Sequence, residues 1–324
     1  MKKVTYYIGF IVLSLSMFAC GSDDTNEVLE DTDITDDLVV IDVDASLFLE
    51  AGLSESITIV SRTMSDGSTA DCYKIVTTGL ATDHDMGPWC PSTIDDDDSA
   101  GGIWLEGGEV YDVDGAFVKN LATFYNDNTW MMYDVDTRKI TKTESLYDCA
   151  NAAIPDVGDD YENYCVECLP SYLETLTNTY YIPVTPVKAS SATAFGSGPM
   201  SSGPSVRGIA FNSVVFDAPA PVSNILGAYT LAPFDDAGGH INLAAGYHYH
   251  AATGVSTQIA QDDGHTGMIG YALDGYGMYN YDSSVLDDLD ASLGHYDETR
   301  GYHYHVDYAG TNNFINSLRG IYAN

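Results

Sequence analysis

A repeated histidine pattern constrains this chain more than any other feature. Gly239-His240, five further residues and Gly246-Tyr247-His248-Tyr249-His250 recur as Gly294-His295, five further residues and Gly301-Tyr302-His303-Tyr304-His305. Identical residues at identical spacing mark a unit of structure used twice. Each copy also follows a related stretch, Ala210-Phe211-Asn212-Ser213-Val214 before the first and Ala272-Leu273-Asp274-Gly275-Tyr276 before the second. The units span about 208–250 and 268–305 and predict an internally duplicated β unit with two halves related by a pseudo-twofold axis.

Alternation inside the motif sets its geometry. Successive side chains of a strand point to opposite faces, so His248 and His250 project together and Tyr247 and Tyr249 project the other way; the second copy behaves likewise. Two imidazoles whose bases are about 6–7 Å apart can converge on one ion. His240 and His295, each after a Gly and ahead of the pair, supply a third ligand. Three imidazoles suit a zinc ion that keeps an open position, and imidazole also ligates copper, iron and nickel, so a divalent transition metal is expected, copper or zinc first. Either each copy holds its own ion, or both face one shared or dinuclear site. The neighbouring tyrosines offer oxygen ligands or serve as core aromatics.

Of eight histidines, seven lie between His240 and His305. His265 sits in the turn-like Asp262-Asp263-Gly264-His265-Thr266-Gly267 between the copies and is a candidate for the same site. Asp274 is a candidate for fixing a histidine tautomer or acting as a general base. No nucleophile elbow, His-Glu-x-x-His helix or dinucleotide fingerprint is present in the sequence.

Around the motif, short apolar runs at 56–60, 73–76, 179–184, 208–216 and 268–273 alternate with Gly, Pro, Asn and Asp, which predicts strands. Helical periodicity is brief, best at 117–125, 171–177 and 314–322. The expected class is mainly β with a few short helices, in a single β-rich domain over 47–324. Segment 190–205, almost all Ser, Gly, Ala and Pro, reads as a surface loop.

The chain opens as a lipoprotein signal peptide over 1–19. Lys2 and Lys3 precede an apolar run at 6–15, and Ala19 precedes Cys20, the expected lipidation site. That run is too short to hold in a bilayer core of about 30 Å. Gly21-Ser22-Asp23-Asp24 resembles the acidic tag that sends lipoproteins of the Bacteroidetes to the outer face of the outer membrane. The stretch 20–46 is an acidic tether. The expected location is therefore the cell outer membrane, lipid-anchored and surface-exposed.

A formal net charge of -36 argues against nucleic acid and against adhesion to anionic lipid, leaving membrane contact through the anchor only. Asp95-Asp96-Asp97-Asp98 and Asp112-Val113-Asp114-Gly115 offer hard oxygen ligands for calcium, although neither completes an EF-hand loop. Besides Cys20, the cysteines are Cys72, Cys90, Cys149, Cys165 and Cys168. An oxidising compartment predicts two disulfides and one thiol left over. Cys165-Val166-Glu167-Cys168 could also be a redox dithiol, or four cysteines could bind zinc, but structural pairing fits the context better.

The two Tyr-His-Tyr-His motifs, each preceded by Gly-His, and the stretch Ala272-Leu273-Asp274-Gly275-Tyr276-Gly277-Met278-Tyr279 resemble the YHYH-domain family of secreted and lipid-anchored bacterial proteins. The resemblance is strong from Gly208 onward and extends back through Tyr181-Ile182-Pro183 to the turn 78–85. It implies that His84 belongs to the same domain and brings it into the candidate site. It also implies cysteines just before the Gly-His pairs and near the C-terminus, where this chain has Ala237, Ser292 and Ser317. The resemblance implies a domain, not a reaction. Three functions stay open: a surface lipoprotein that binds or captures a transition metal, a metal-dependent hydrolase or oxidase, and a module that grips a polysaccharide, small molecule or partner while the histidines brace the fold.

Overall fold

The structure is a computed structural model that describes residues 38–154, 157–173, 176–196 and 203–324; the signal segment with Cys20, the acidic tag and most of the tether lie outside the described residues. Packing begins a few residues before Leu47, because Val43 is buried and its N–H donates to Val184 O.

The chain opens with the hairpin β1 (Thr58–Thr63) and β2 (Thr69–Thr77), then a second hairpin β3 (Ile103–Glu106) and β4 (Glu109–Asp112). Helices α1 (Gly115–Phe124) and α2 (Leu146–Ala152) follow, then β5 (Asn178–Pro183) and β6 (Lys188–Ala194). The motif-bearing region supplies β7 (Gly208–Ala210), β8 (Val215–Phe216), α3 (Val222–Gly227), β9 (Gly239–Asn242), β10 (Gly246–Tyr249), β11 (Met268–Ala272) and β12 (Gly277–Tyr279). It ends with β13 (Gly294–Asp297), β14 (Gly301–His305) and β15 (Ser317–Gly320).

Eight of these strands form one sheet in the order β13-β14-β12-β11-β7-β8-β10-β9. The pairing reads the same from either edge. The hairpin β9–β10 sets His248 opposite His240, and β13–β14 sets His303 opposite His295. Each hairpin then meets an inner strand in parallel, β10 on β8 and β14 on β12. The halves join at the centre, where β7 and β11 run antiparallel with Ile209 opposite Tyr271. Every residue of β7, β8, β10 and β11 is buried, which is why β7, β8 and β11 read as apolar runs without polar alternation.

Pairing also carries one face across the whole sheet. His248 lies opposite Val215, Val215 opposite Ile209, Ile209 opposite Tyr271 and Tyr271 opposite Gly277; two residues on, Tyr279 lies opposite His305. Paired residues share a face, so the histidines of β10 and β14 project from the same side. On the other side Phe216, Tyr249, Met278, Tyr304, Phe314 and Leu318 belong to one buried cluster. Strands β10 and β14 are five inter-strand steps apart, which at about 4.8 Å per step is roughly 24 Å.

Smaller layers cover the sheet. The sheet β1-β2-β5 brings Ile75 and Ile182 onto Ile209 and Tyr271 of the histidine side. The hairpin β3–β4 and α1 build a second core, with Trp104 and Leu121 fully buried and Phe234 beside them. Helix α1 starts where Asp114 accepts from Phe117 N, and it buries Val118 and Leu121. Two disulfides form, Cys90–Cys165 and Cys149–Cys168, and Cys72 stays a buried thiol. Cys165 and Cys168 therefore bond to different partners and not to each other.

Some local expectations are corrected. Segment 208–216 is not one strand but the hairpin β7–β8, turning through Ser213 at φ 69. Segment 314–322 is not a helix: Ser317–Gly320 is β15, paired with β6, and Gly320 N donates to Asp274. Its apolar spacing fits a helix face, but Phe314, Ile315 and Leu318 are buried by tertiary packing onto the sheet. In 171–177 the described backbone holds a 3-10 turn at Pro170–Tyr172. The acidic segments proposed for calcium are engaged locally: Asp95 pairs with Arg138, Asp96 accepts from Ser92 N and Thr93 N, Asp97 caps Ser99 and Asp114 caps α1. Ser292 and Ser317, at positions where the resemblance implied cysteine, hydrogen bond to each other at 2.7 Å.

The glycine of each Gly-His pair has a steric cause. A Cβ on Gly239 would lie 2.5 Å from the Tyr247 hydroxyl oxygen, and one on Gly294 would collide with the Tyr302 hydroxyl. Neither ring end is free to yield, since both hydroxyls are hydrogen bonded to carboxylates. Gly239→Ala is expected to destabilise the protein by about 1–3 kcal/mol, the usual cost of overpacking. Denaturant unfolding checks this, and an unchanged midpoint would show that Tyr247 can move aside.

Candidate metal centres

Each hairpin carries its histidines to a point. On the first, His240, His248 and His250 place ligand nitrogens within 4.8 Å of one another; on the second, His295, His303 and His305 do so together with His265. The copies thus hold separate clusters, and a single ion shared between them is ruled out by the strands that intervene. Among the described residues these are the groups of three or more metal-type side chains that converge.

The ring orientations are fixed by the backbone. His248 Nδ1 donates to Gly246 O at 2.9 Å and His250 Nδ1 to Ala218 O at 2.6 Å. In the second cluster His303 Nδ1 donates to Gly301 O at 3.0 Å, His305 Nδ1 to Asn280 O at 3.1 Å and His265 Nδ1 to Thr266 O at 3.0 Å. His240 is likewise held by the backbone at Ala232 and Pro233. A carbonyl oxygen only accepts, so in His248, His250, His265, His303 and His305 the Nδ1 carries the ring's proton and the Nε2 presents a lone pair.

Those lone pairs point at neighbouring ring nitrogens. His240 Nε2 and His250 Nε2 are 3.2 Å apart; His303 Nε2 is 3.0 Å from His295 Nε2 and 3.2 Å from His265 Nε2. His265 and His303 both commit Nδ1 to a carbonyl, so their facing Nε2 atoms are two acceptors that repel unless a cation lies between them. Zinc–nitrogen bonds of about 2.0–2.1 Å in a tetrahedron put ligand nitrogens about 3.3–3.4 Å apart, close to the spacings here. His305 Nε2 is buried and has no hydrogen-bond partner, an orphaned acceptor at the second cluster. Burial alone would be costly for such a group.

Burial keeps the rings neutral. It pushes His240 and His250 well below the ordinary histidine range, with the neighbouring imidazoles adding to the shift, and it lowers His248 while Asp217 opposes. It also lowers His295, brings His303 down to about 3 and His305 to about 4. Neutral imidazole is the form that ligates a metal. Phe234 packs on His240 and His250, and Tyr279 on His265 and His303, so aromatic rings shield both clusters.

The motif tyrosines are not ligands; they secure the hairpins from the opposite face. Tyr247 OH donates to Asp235, and Tyr302 OH donates to Asp290 at 3.0 Å. Asp235 also accepts from Gly239 N, and Asp290 from Gly294 N. Each carboxylate therefore ties the start of one strand to the tyrosine of its partner. Both aspartates stand four residues before the Gly of the Gly-His pair, a repeat that sequence reasoning missed although the spacing displays it. Asn212 donates to Tyr249 OH, and at the matching place in the second half Tyr304 OH donates to Asp274.

Asp274 is thus not a partner of any histidine. It is wholly buried on the tyrosine side, where it accepts from Tyr304 and from Gly320 N at 2.8 Å. His84 joins neither cluster: its Nδ1 is paired with Asp83 at 2.7 Å, its Nε2 lies 3.1 Å from Tyr247 OH, and its ring packs on Tyr247 and Tyr249. His265 does reach the second cluster, carried there by the loop ahead of β11.

A family model described as YHYH protein matches residues 179–292. The chain therefore contains a YHYH domain, in keeping with the resemblance drawn from its motifs. The matched stretch takes in β5, the first cluster and the two central strands, and stops just before Gly294. No curated protein and no solved structure matches the chain.

The depressed histidines give the ion-free protein a signed pH dependence. Unfolded chains protonate histidine below about pH 6.5. The folded state resists until about 4 at His305 and about 3 at His303. Stability held above 6.5 is therefore lost as the pH falls through that window. Thermal unfolding of metal-free protein at pH 7.5 and 5 is expected to show a larger drop for the wild type than for a His303→Gln, His305→Gln variant. Equal drops would contradict it.

Proposed function

We propose that this chain is a transition-metal-binding lipoprotein of the outer-membrane surface that holds one ion at each outer hairpin of its large sheet. The observation that carries the reading is the convergence of ring nitrogens at each outer hairpin, with the Nδ1 protons of His248, His250, His265, His303 and His305 committed to backbone carbonyls. A structural brace made of histidine alone would use its nitrogens to bond the fold; here half of them are turned toward each other. The all-imidazole donor sets suit zinc and copper. Lys2, Lys3, the apolar run and Cys20 support anchoring by lipid, and the acidic segment after Cys20 supports surface display.

Protein purified without a polyhistidine tag is expected to hold two zinc or copper ions per chain by elemental analysis, and His248→Ala with His250→Ala to hold one. Removing His265 alone is expected to weaken one of the two ions by at least tenfold, as loss of one ligand of four should. Absence of any stoichiometric metal, with weak affinity for added zinc and copper, would overturn the metal reading. Loss of labelled palmitate on Cys20→Ser tests the anchor separately, and unlabelled wild-type protein would overturn it.

A further inference from the structure

The two clusters differ in the number of imidazoles and in how many of them reach a cavity: of the second set, His303 lines one of about 220 Å³. At the second, His265 brings a fourth imidazole, which completes the tetrahedral set zinc prefers. At the first, only His240, His248 and His250 converge, and all three line a cavity of about 240 Å³. Its walls are mainly apolar, among them Trp89, Ile154, Pro219, Ile225 and Ile241. They come from separate parts of the chain and are individually fixed. Trp89 Nε1 donates to Gly239 O, the residue before His240. The wall at Ile154 follows α2, which the Cys149–Cys168 disulfide holds. The wall at Ile225 lies on α3, where Thr230 Oγ1 bonds Ile225 O.

We infer that the first cluster is a ligand-binding metal centre, whose ion takes a small, mainly apolar molecule through a single nitrogen or oxygen donor, while the second cluster, with its four imidazoles, is structural. The inference rests on the metal reading above. Three protein ligands plus an open position is the arrangement of catalytic metal sites, whereas four protein ligands is that of structural ones. A concave apolar enclosure with few polar groups is the usual form of a small-molecule site, and its volume lies just under the roughly 300–1,000 Å³ of drug-sized sites, so the ligand is small. An ion at the floor of this cavity supplies the one strong directional contact such a ligand needs. Asp217, Thr230 and Asn242 also line the space, and Asp217 lies within electrostatic reach of His248.

The test uses the whole folded chain loaded with cobalt(II), whose visible absorption reports a change in coordination, and phenylimidazole as the probe, an apolar ring with one donor nitrogen. Titration is expected to give a saturating spectral change that persists when His265→Ala and His295→Ala remove the second ion. Plain imidazole, which lacks the apolar body, is expected to need at least tenfold more ligand. Ile225→Trp, which fills the cavity without touching a histidine, is expected to weaken phenylimidazole at least tenfold and to leave the cobalt content unchanged. Two bound cobalt ions with no response to phenylimidazole, or an undiminished response in Ile225→Trp, would overturn the ligand site and leave the metal reading standing. Failure to bind cobalt at all would overturn both.

Discussion

The hydrogen bonds that tie Nδ1 of His248, His250, His303 and His305 to backbone carbonyls govern the rest of the structure. Gly246 O, Ala218 O, Gly301 O and Asn280 O are acceptors supplied by the sheet and its adjoining turns, and none of them can exchange roles with the ring. They leave the opposite nitrogens facing inward as acceptors within 4.8 Å of each other. In an ion-free protein the second cluster combines repulsion between the His265 and His303 acceptors with the unsatisfied, buried His305 Nε2. A cation bound there would turn both penalties into favourable bonds and would couple metal affinity to the stability of the fold.

The remainder of the domain serves to hold those carbonyls and rings in register. Each outer hairpin is fixed from its far side by a carboxylate, Asp235 or Asp290, that binds both the strand start and the partner tyrosine. Glycine at positions 239 and 294 leaves room for that tyrosine. Asp235 and Tyr247 are buried, so the bond between them forms in a low-dielectric setting where hydrogen bonds are strong and their loss is costly. The disulfides act one layer further out, attaching the segments that wall the first cluster.

Much of this was legible in the sequence because strand alternation is local. His248 with His250 and His303 with His305 follow from a period of two, and the β-rich class and the two disulfides follow from composition and context. What was not legible depends on pairing between distant segments. Whether the copies share an ion is decided by the joining of β7 to β11, a pairing between segments about sixty residues apart that no local pattern encodes. His265 reaches its cluster through a loop whose path no periodicity encodes. Asp274 falls on the tyrosine face and not the histidine face: the matching residue in the first half is Asn212, a poor metal-site partner, and both serve the tyrosine side. Segment 314–322 was misread as helix because apolar spacing alone cannot separate a short helix from a strand buried on the sheet.

Two independent ions, one per outer hairpin, is the claim on which the rest depends, and the distance between them tests it most directly. Pulsed electron paramagnetic resonance on protein loaded with copper(II) should give one copper–copper distance of roughly 20–30 Å, the span of the strands between β10 and β14. A strongly coupled pair a few ångströms apart, or a single copper per chain, would contradict it.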